Sequence, residues 1–117
     1  MVIKVFTDIR IDHDIPYGEY DISHILRWSK KIPYPVRGIF IRSSCGGNTH
    51  VLVTVKGDLS PLDTLLIRAI MRDDTRRLRG DLERYATNSK VFGLLFDEKI
   101  NVDTGERFSA GEWVKVC

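Results

Sequence analysis

The stretch VIKVFTDIRIDHD, residues 2–14, decides the fold class, because apolar and polar residues alternate along it. One side carries Ile3, Val5, Ile9 and Ile11. The other side carries Lys4, Phe6, Asp8, Arg10, Asp12 and Asp14. Successive side chains of a β-strand point to opposite faces of a sheet, so this alternation predicts a strand that lies with one face on a core.

The rest of the chain predicts two helical segments and further strands around that first strand. Apolar residues recur at helical spacing over 21–31 and again from Ser60-Pro61 to about Ala86, with a break at Asp73-Asp74. Strands are expected at 37–44, 49–55 and 91–96, and a terminal hairpin is expected to turn at 103–105. This order predicts the α+β class and, more finely, a ferredoxin-like, RRM-like split βαβ sandwich (βαββαβ) with a C-terminal β-hairpin. We expect a single domain over 1–117, with its core at about 2–97 and the hairpin at about 98–117.

Length and composition exclude several classes of protein. At 117 residues, with 43% hydrophobic and 29% charged residues, the chain matches one globular domain rather than a disordered segment. Cys45 and Cys117 are too few for a disulfide framework, which favours a reducing compartment. No apolar run approaches the roughly 20 residues of a membrane helix, so we expect no membrane partner and a cytoplasmic location, or the host cytoplasm for a viral protein.

Arginines cluster in the second helical segment. The net charge is only +2, from 18 basic and 16 acidic residues, and by itself attracts no polyanion. We predict Arg72, Arg76, Arg77 and Arg79 as contacts to nucleic acid, because the planar guanidinium suits phosphate. Acidic residues are interleaved with these arginines at the spacing of helical ion pairs, so a solvated, salt-bridged helix face is the alternative interpretation.

Two carboxylates end the polar side of the first strand. In a split βαβ sandwich both helices cover one face of the sheet, so functional residues are expected on the other face. Asp12 and Asp14 are two positions apart and therefore point the same way. Such a pair can bind Mg²⁺ or Mn²⁺, which activates an attacking oxygen and neutralises a leaving phosphate. The alternative is a pair of solvated aspartates before a turn.

A histidine is expected beside these carboxylates. In the predicted topology the third strand runs antiparallel beside the first, so the start of one lies next to the end of the other. This places His50 close to Asp12 and Asp14. We predict these three residues as the catalytic ones.

The turn between the second and third strands predicts a site for nucleotide phosphates. It offers the guanidinium of Arg42, the hydroxyls of Ser43 and Ser44, glycine amides and the imidazole of His50. Such groups form anion-binding cradles in nucleotide-binding proteins. An ordinary glycine-rich hairpin turn is the alternative.

These residues resemble a known family. An Asp-x-Asp that closes the first strand, a helix, and a Ser-Ser-x-Gly-x-x-x-His run at 43–50 are similar to motifs one and two of the archaeo-eukaryotic primase superfamily, over about 2–97. The resemblance implies that Asp12 and Asp14 bind a catalytic Mg²⁺ or Mn²⁺, and that Ser44 and His50 contact the phosphates of an incoming nucleotide. It also implies a third acidic metal ligand, for which Asp97 is the candidate, although the predicted strand directions place Asp97 at the opposite end of the sheet. Family members carry a further N-terminal module, which implies a partner chain that supplies it.

Three functions stay open at this point. The first is a primase-like nucleotidyltransferase core that binds divalent metal, nucleoside triphosphates and nucleic acid. The second is a non-catalytic, nucleic-acid-binding RRM-like module of a virus or plasmid with an archaeal host, and the third is a small homodimeric scaffold. An RNA-recognition domain stacks bases on aromatic residues of its central strands, yet only Phe6 and Phe40 are expected on the open face, so we expect weak base stacking there.

Overall fold

The computed structural model describes residues 5–87, 98–100 and 107–117 and confirms the α+β class. Its elements are β1 (Phe6–Pro16), a 3-10 turn (Tyr17–Glu19), α1 (Ile22–Ser29), β2 (Val36–Ser43), β3 (Asn48–Lys56), α2 (Pro61–Ile70), α3 (Thr75–Ala86), β4 (Glu98–Ile100), β5 (Arg107–Ser109) and β6 (Val114–Lys115). The strand predicted at 91–96 and the turn predicted at 103–105 lie outside the described residues. Within the described ranges, no helix has both the length and the apolar character needed to cross a membrane.

The main sheet has four antiparallel strands in the order β1-β3-β2-β6. β3 lies between β1 and β2 in this sheet, and α1 connects β1 to β2 in the chain. The strand described beside β2 is β6, which the sequence did not predict in this sheet. β4 pairs with β5 in a separate antiparallel ribbon, within the region predicted as a hairpin. A ferredoxin-like completion of the sheet beside β1 stays a prediction.

The core lies on one face of the sheet. Its strand residues include Ile9, Ile11, Ile39, Ile41, Val51, Val53 and Val55. Ile25 of α1 and Ile67 of α2 join the same cluster, so the helices cover this face. The alternation predicted for β1 and β3 is therefore confirmed. Each fully buried aliphatic side chain stabilises the fold by about 1.5–3 kcal/mol relative to an exposed one.

The predicted break between α2 and α3 is confirmed, and local hydrogen bonds explain it. At the end of α2 the Arg72 amide donates to the Ala69 carbonyl, and the Asp73 amide donates to the Arg68 carbonyl, which forms a Schellman motif. Arg72 has a φ of 60°, the left-handed conformation that usually favours glycine at this position. The Asp74 side chain then accepts from the amide of Arg77 and caps α3.

A buried ion-pair network joins α2 to α3. Arg68 is only 2% exposed, and its Nε and Nη1 lie 2.6 Å from carboxylate oxygens of Asp73 and Asp81 respectively. Arg77 donates to Asp73, and Arg84 Nη1 lies 2.7 Å from Asp81 Oδ1. The interpretation of the whole arginine cluster as a solvated face is therefore wrong for Arg68, which is enclosed by the protein.

The same network holds the α2–α3 corner against the edge of β1 that faces away from β3. The Asp12 amide donates to Asp73 Oδ1 at 2.8 Å, and the Asp74 amide donates to the Asp12 carbonyl at 2.9 Å. Arg77 Nη1 also donates to the carbonyl of Arg10 at 3.0 Å. Backbone groups that would be unpaired at a sheet edge are thus satisfied by the corner.

We predict that Asp73→Ala lowers the free energy of unfolding by about 3–5 kcal/mol, because it leaves the buried Arg68 short of an anion. Urea unfolding measures the loss. The control is Glu83→Ala, which removes the partner of the exposed Arg79 at 3.8 Å and should cost less than about 1 kcal/mol. Equal small losses in the two variants would contradict a stabilising role for the network.

Candidate functional site

Three polar side chains form a row across the face of the sheet that lies opposite the core. The strand register pairs Asp12 with His50 and His50 with Arg42. His50 Nε2 lies 3.9 Å from Asp12 Oδ1, and Arg42 Nε donates to His50 Nδ1 at 3.0 Å. The predicted meeting of the end of β1 with the start of β3 is confirmed by this geometry.

The hydrogen bond from Arg42 determines which nitrogen of the neutral His50 imidazole carries the proton. Because Nδ1 accepts from Arg42, the proton of the neutral ring is on Nε2, the nitrogen that faces Asp12. His50 and Arg42 are each only 5% exposed. The ring of Trp113 covers Arg42, with its centroid 4.4 Å from the guanidinium carbon. This end of the face is therefore buried, whereas the sequence predicted an open surface, and nothing in the local pattern had assigned Trp113 to it.

Asp12 is the more exposed member of the row, and its pKa is perturbed. Burial raises the pKa of the Asp12 carboxyl above its ordinary value, and the neighbouring carboxylates of Asp74 and Asp73 act in the same direction. The guanidinium of Arg77 opposes this shift without reversing it. The position thus disfavours a negative charge on Asp12.

Asp14 does not join the row in the way the sequence predicted. The register of β1 against β3 shifts between His13 and Pro16, so strict alternation ends before the strand does. Asp14 is exposed, and its Oδ1 accepts from the side-chain amide of Asn48 at 2.7 Å. In the part of the chain that the structure describes, no group of three His, Cys, Asp or Glu side chains is placed to hold a metal ion. Asp97, the third predicted ligand, lies outside the described residues.

The turn between β2 and β3 uses much of its hydrogen-bonding capacity internally. Ser44 Oγ accepts from the amide of Asn48 at 3.0 Å, and the Ser44 carbonyl accepts from the amide of Gly47 at 3.0 Å. The Ser44 amide donates to the Asn48 carbonyl at 2.7 Å. Gly47 has a φ of 87°, which only glycine adopts without strain. Phosphate binding by these amides would require the turn to open.

Ser43 lies apart from the other residues predicted to bind phosphate. It pairs with Thr49 in the sheet, and neighbouring positions of a strand face opposite sides. Ser43 and Thr49 therefore point to the core side, whereas Arg42 and His50 point to the other side. Ser43 and His50 are not brought to one site, because they are separated by the thickness of the sheet.

The four arginines predicted to bind nucleic acid fall into two groups. Arg77 is half-buried and is bound to Asp73 and to the carbonyl of Arg10, so it is a structural residue. Arg72, Arg76 and Arg79 are exposed. The guanidinium of Arg72 lies 5.8 Å from the ring centroid of Trp28, and Arg79 pairs with the exposed Glu83 at 3.8 Å.

Sequence reasoning missed the role of His13. Its ring is 5% exposed on the core side, where Nε2 donates to the Met71 carbonyl at 2.7 Å and Nδ1 bonds the hydroxyl of Tyr20. The side chain links β1 to the end of α2 and to the residues before α1. The alternation of Ile9, Ile11 and His13 places the histidine on the core face, and this is the signal that could have found it.

None of the family models, curated proteins and solved structures compared with the chain matches it.

We predict that Asp12→Asn makes the protein more stable than wild type at pH 7. The folded state holds the Asp12 proton more tightly than the unfolded chain does, so the contribution of Asp12 to stability falls as the pH rises from about 3.8 through the raised pKa. The advantage of the variant should shrink as the pH is lowered through that window. Urea unfolding at pH 7 and pH 4 measures this, with the exposed Asp14→Asn as the matched control. Lower stability of Asp12→Asn at pH 7 would mean that Arg77 and His50 stabilise the carboxylate after all.

Proposed function

We propose that the protein is a nucleic-acid-binding module that holds phosphates with exposed arginines. One observation carries the proposal: Arg72, Arg76 and Arg79 project into solvent, while Arg68 and Arg77 are engaged by buried carboxylates. Asp73 and Asp81 are engaged by Arg68, Arg77 and Arg84, so they are not partners of the exposed arginines. The exposed side of this corner carries the positive charges of Arg72, Arg76 and Arg79.

The exposed arginines can exchange their present contacts for phosphate at little cost. The Arg79–Glu83 pair is 3.8 Å apart, and both side chains are more than 70% exposed, so it contributes about 0–1 kcal/mol. Arg76 has no ion-pair partner among the described residues. Each arginine that replaces a counterion on the nucleic acid gains the entropy of that released ion.

A split βαβ arrangement belongs to the same proposal. A fourth strand, predicted at 91–96, would pair with the free edge of β1. The amide and carbonyl of Asp12 already bond Asp73 and Asp74 of the α2–α3 corner.

We predict that replacing Arg72, Arg76 and Arg79 by alanine together weakens binding of single-stranded DNA or RNA and reduces its salt dependence. Each lost phosphate contact should reduce the slope of log affinity against log salt by about 0.7, hence by about 2 for the triple variant. Fluorescence anisotropy over a series of salt concentrations measures the slope.

The matched control for this experiment replaces the same three residues by lysine. Lysine keeps the charge, so the slope should stay close to that of wild type. No detectable binding by wild type at low salt would overturn the proposal. A stable dimer without nucleic-acid binding would favour the scaffold function instead.

A primase-like nucleotidyltransferase is the second candidate, and the cross-strand contact between Asp12 and His50 favours it. The described residues do not by themselves fit a divalent metal, because they offer no third ligand beside these two. The candidate therefore needs a carboxylate from outside the described residues, for which Asp97 is the sequence-based choice. We predict for this candidate that Mn²⁺-dependent incorporation of nucleoside triphosphates is lost in Asp12→Asn. Absence of incorporation by wild type with either Mn²⁺ or Mg²⁺ would exclude it.

A further inference from the structure

A cleft lies on the sheet at the end opposite Asp12 and His50. It has a volume of about 220 Å³ and is lined by Phe6, Pro35, Val36, Arg37 and Lys56. Ligand pockets for drug-sized molecules have volumes of about 300–1,000 Å³, so this cleft suits a single ring system rather than a larger ligand.

The strand directions bring these residues together. β1 and β2 begin at the same end of the sheet at which β3 ends, because β3 is antiparallel to both. Phe6 pairs with Lys56 in the register. Val36 pairs with Val55 and Gly38 pairs with Thr54, so Arg37 is one extra residue in β2, a β-bulge. Bulges redirect a side chain and often lie next to functional sites.

The cleft combines an aromatic surface with two cations. The Phe6 ring is 40% exposed, and the guanidinium carbon of Arg37 lies 5.8 Å from its centroid. Arg37 and Lys56 are exposed, and neither forms a salt bridge with a described residue. Pro35 and Val36 supply apolar lining. The ring is thus partly exposed, with the Arg37 guanidinium over it and Lys56 opposite Phe6 in the strand register.

We propose that this cleft binds one unpaired nucleotide of a single-stranded nucleic acid. The base stacks on the Phe6 ring, and Arg37 and Lys56 bind the flanking phosphates. The contact of an exposed arginine with an aromatic ring is weaker than the stacking of a base on that ring, so the base displaces the guanidinium, which turns to the phosphate. The inference rests on the proposed nucleic-acid binding and specifies where on the molecule a base is held.

An unpaired base fits this cleft better than a duplex does. In a duplex the faces of the bases are covered by their neighbours, and only an unstacked base offers a face to an aromatic side chain. Every base has such a face, so the cleft should accept all four bases with modest preferences. The sequence predicted weak stacking on this face, because Phe6 and Phe40 were the only aromatic residues expected there, and the cleft uses one of these two, Phe6.

The aromatic contact is tested with a fluorescent 20-nucleotide thymidine oligomer and an abasic oligomer of the same length. Phe6→Ala should weaken binding of the thymidine oligomer by about 5- to 150-fold and leave binding of the abasic oligomer unchanged. Phe6→Tyr should bind like wild type. The control is Leu66→Ala, which shortens an apolar side chain of similar exposure on α2, 50% against 40%, and should have no effect.

The role of Arg37 and Lys56 is tested separately, by the salt dependence of oligomer binding. The double variant Arg37→Ala/Lys56→Ala should reduce the slope of log affinity against log salt by about 1.4, whereas Phe6→Ala should leave the slope unchanged. Arg37→Lys/Lys56→Arg keeps both charges and should keep the slope. Urea unfolding of each variant establishes that it is folded.

The outcomes separate this inference from the proposed function. If wild type binds neither oligomer, both are overturned. If wild type binds and Phe6→Ala behaves like Leu66→Ala, the inference is overturned while the proposed function stands. If free thymidine monophosphate competes as strongly as an equal concentration of oligomer, the ligand is a free nucleotide and the assignment to a strand is overturned.

Discussion

The enclosure of Arg68 between Asp73 and Asp81 is the interaction on which the rest of the arrangement depends. A buried guanidinium is tolerated only where carboxylates and further hydrogen bonds compensate its lost hydration. The carboxylate of Asp73 accepts hydrogen bonds from Arg68, Arg77 and the amide of Asp12, so it joins both helices to the edge of β1. The requirement to satisfy one buried cation thus fixes the helical layer relative to the sheet. It also determines which arginines of this segment can face solvent.

The register between β1 and β3 is the second constraint. It pairs nine residues of β1 with β3, from Phe6 opposite Lys56 to Pro16 opposite Asn48. A slip of one residue would move the isoleucines of β1 from the core to the other face, so the hydrophobic pattern specifies this register strongly. The positions of Asp12 beside His50, and of Phe6 beside Lys56, are consequences of the same alignment.

Local sequence patterns predicted the parts of the structure that depend on local physics. The alternation in β1 and β3, the serine and proline at the start of α2, and the break at Asp73-Asp74 all concern residues a few positions apart. The adjacency of Asp12 and His50 could also be predicted, because it follows from the predicted order and direction of the strands.

The parts that could not be predicted depend on contacts between distant segments. The burial of Arg68 requires Asp81, 13 residues further along the chain, and the interleaved charges look the same whether they face solvent or the interior. β6 pairs with β2, and Trp113 stacks on Arg42. Both contacts join segments that are far apart in the chain, and no sequence pattern common to the two segments indicates them. The position of Ser43, by contrast, could have been predicted. It lies two residues after the buried Ile41 and therefore on the core face, so the alternation of β2 excludes it from a site with His50.

The two ends of the helix-free face differ in how their cations are satisfied, and this difference determines where an anionic ligand can bind. At the Asp12 end, Arg42 is buried, donates to His50 and lies under Trp113, so a phosphate would have to displace contacts formed out of water. At the Phe6 end, Arg37 and Lys56 are exposed, and within the described residues a ligand would replace only their hydration and a weak contact of Arg37 with an aromatic ring. Breaking a buried hydrogen bond to a charged group costs more than displacing water from an exposed one. The Asp12 end of this face is therefore occupied by buried contacts that stabilise the fold. The Phe6 end, with its aromatic ring and two cations, is available to a ligand.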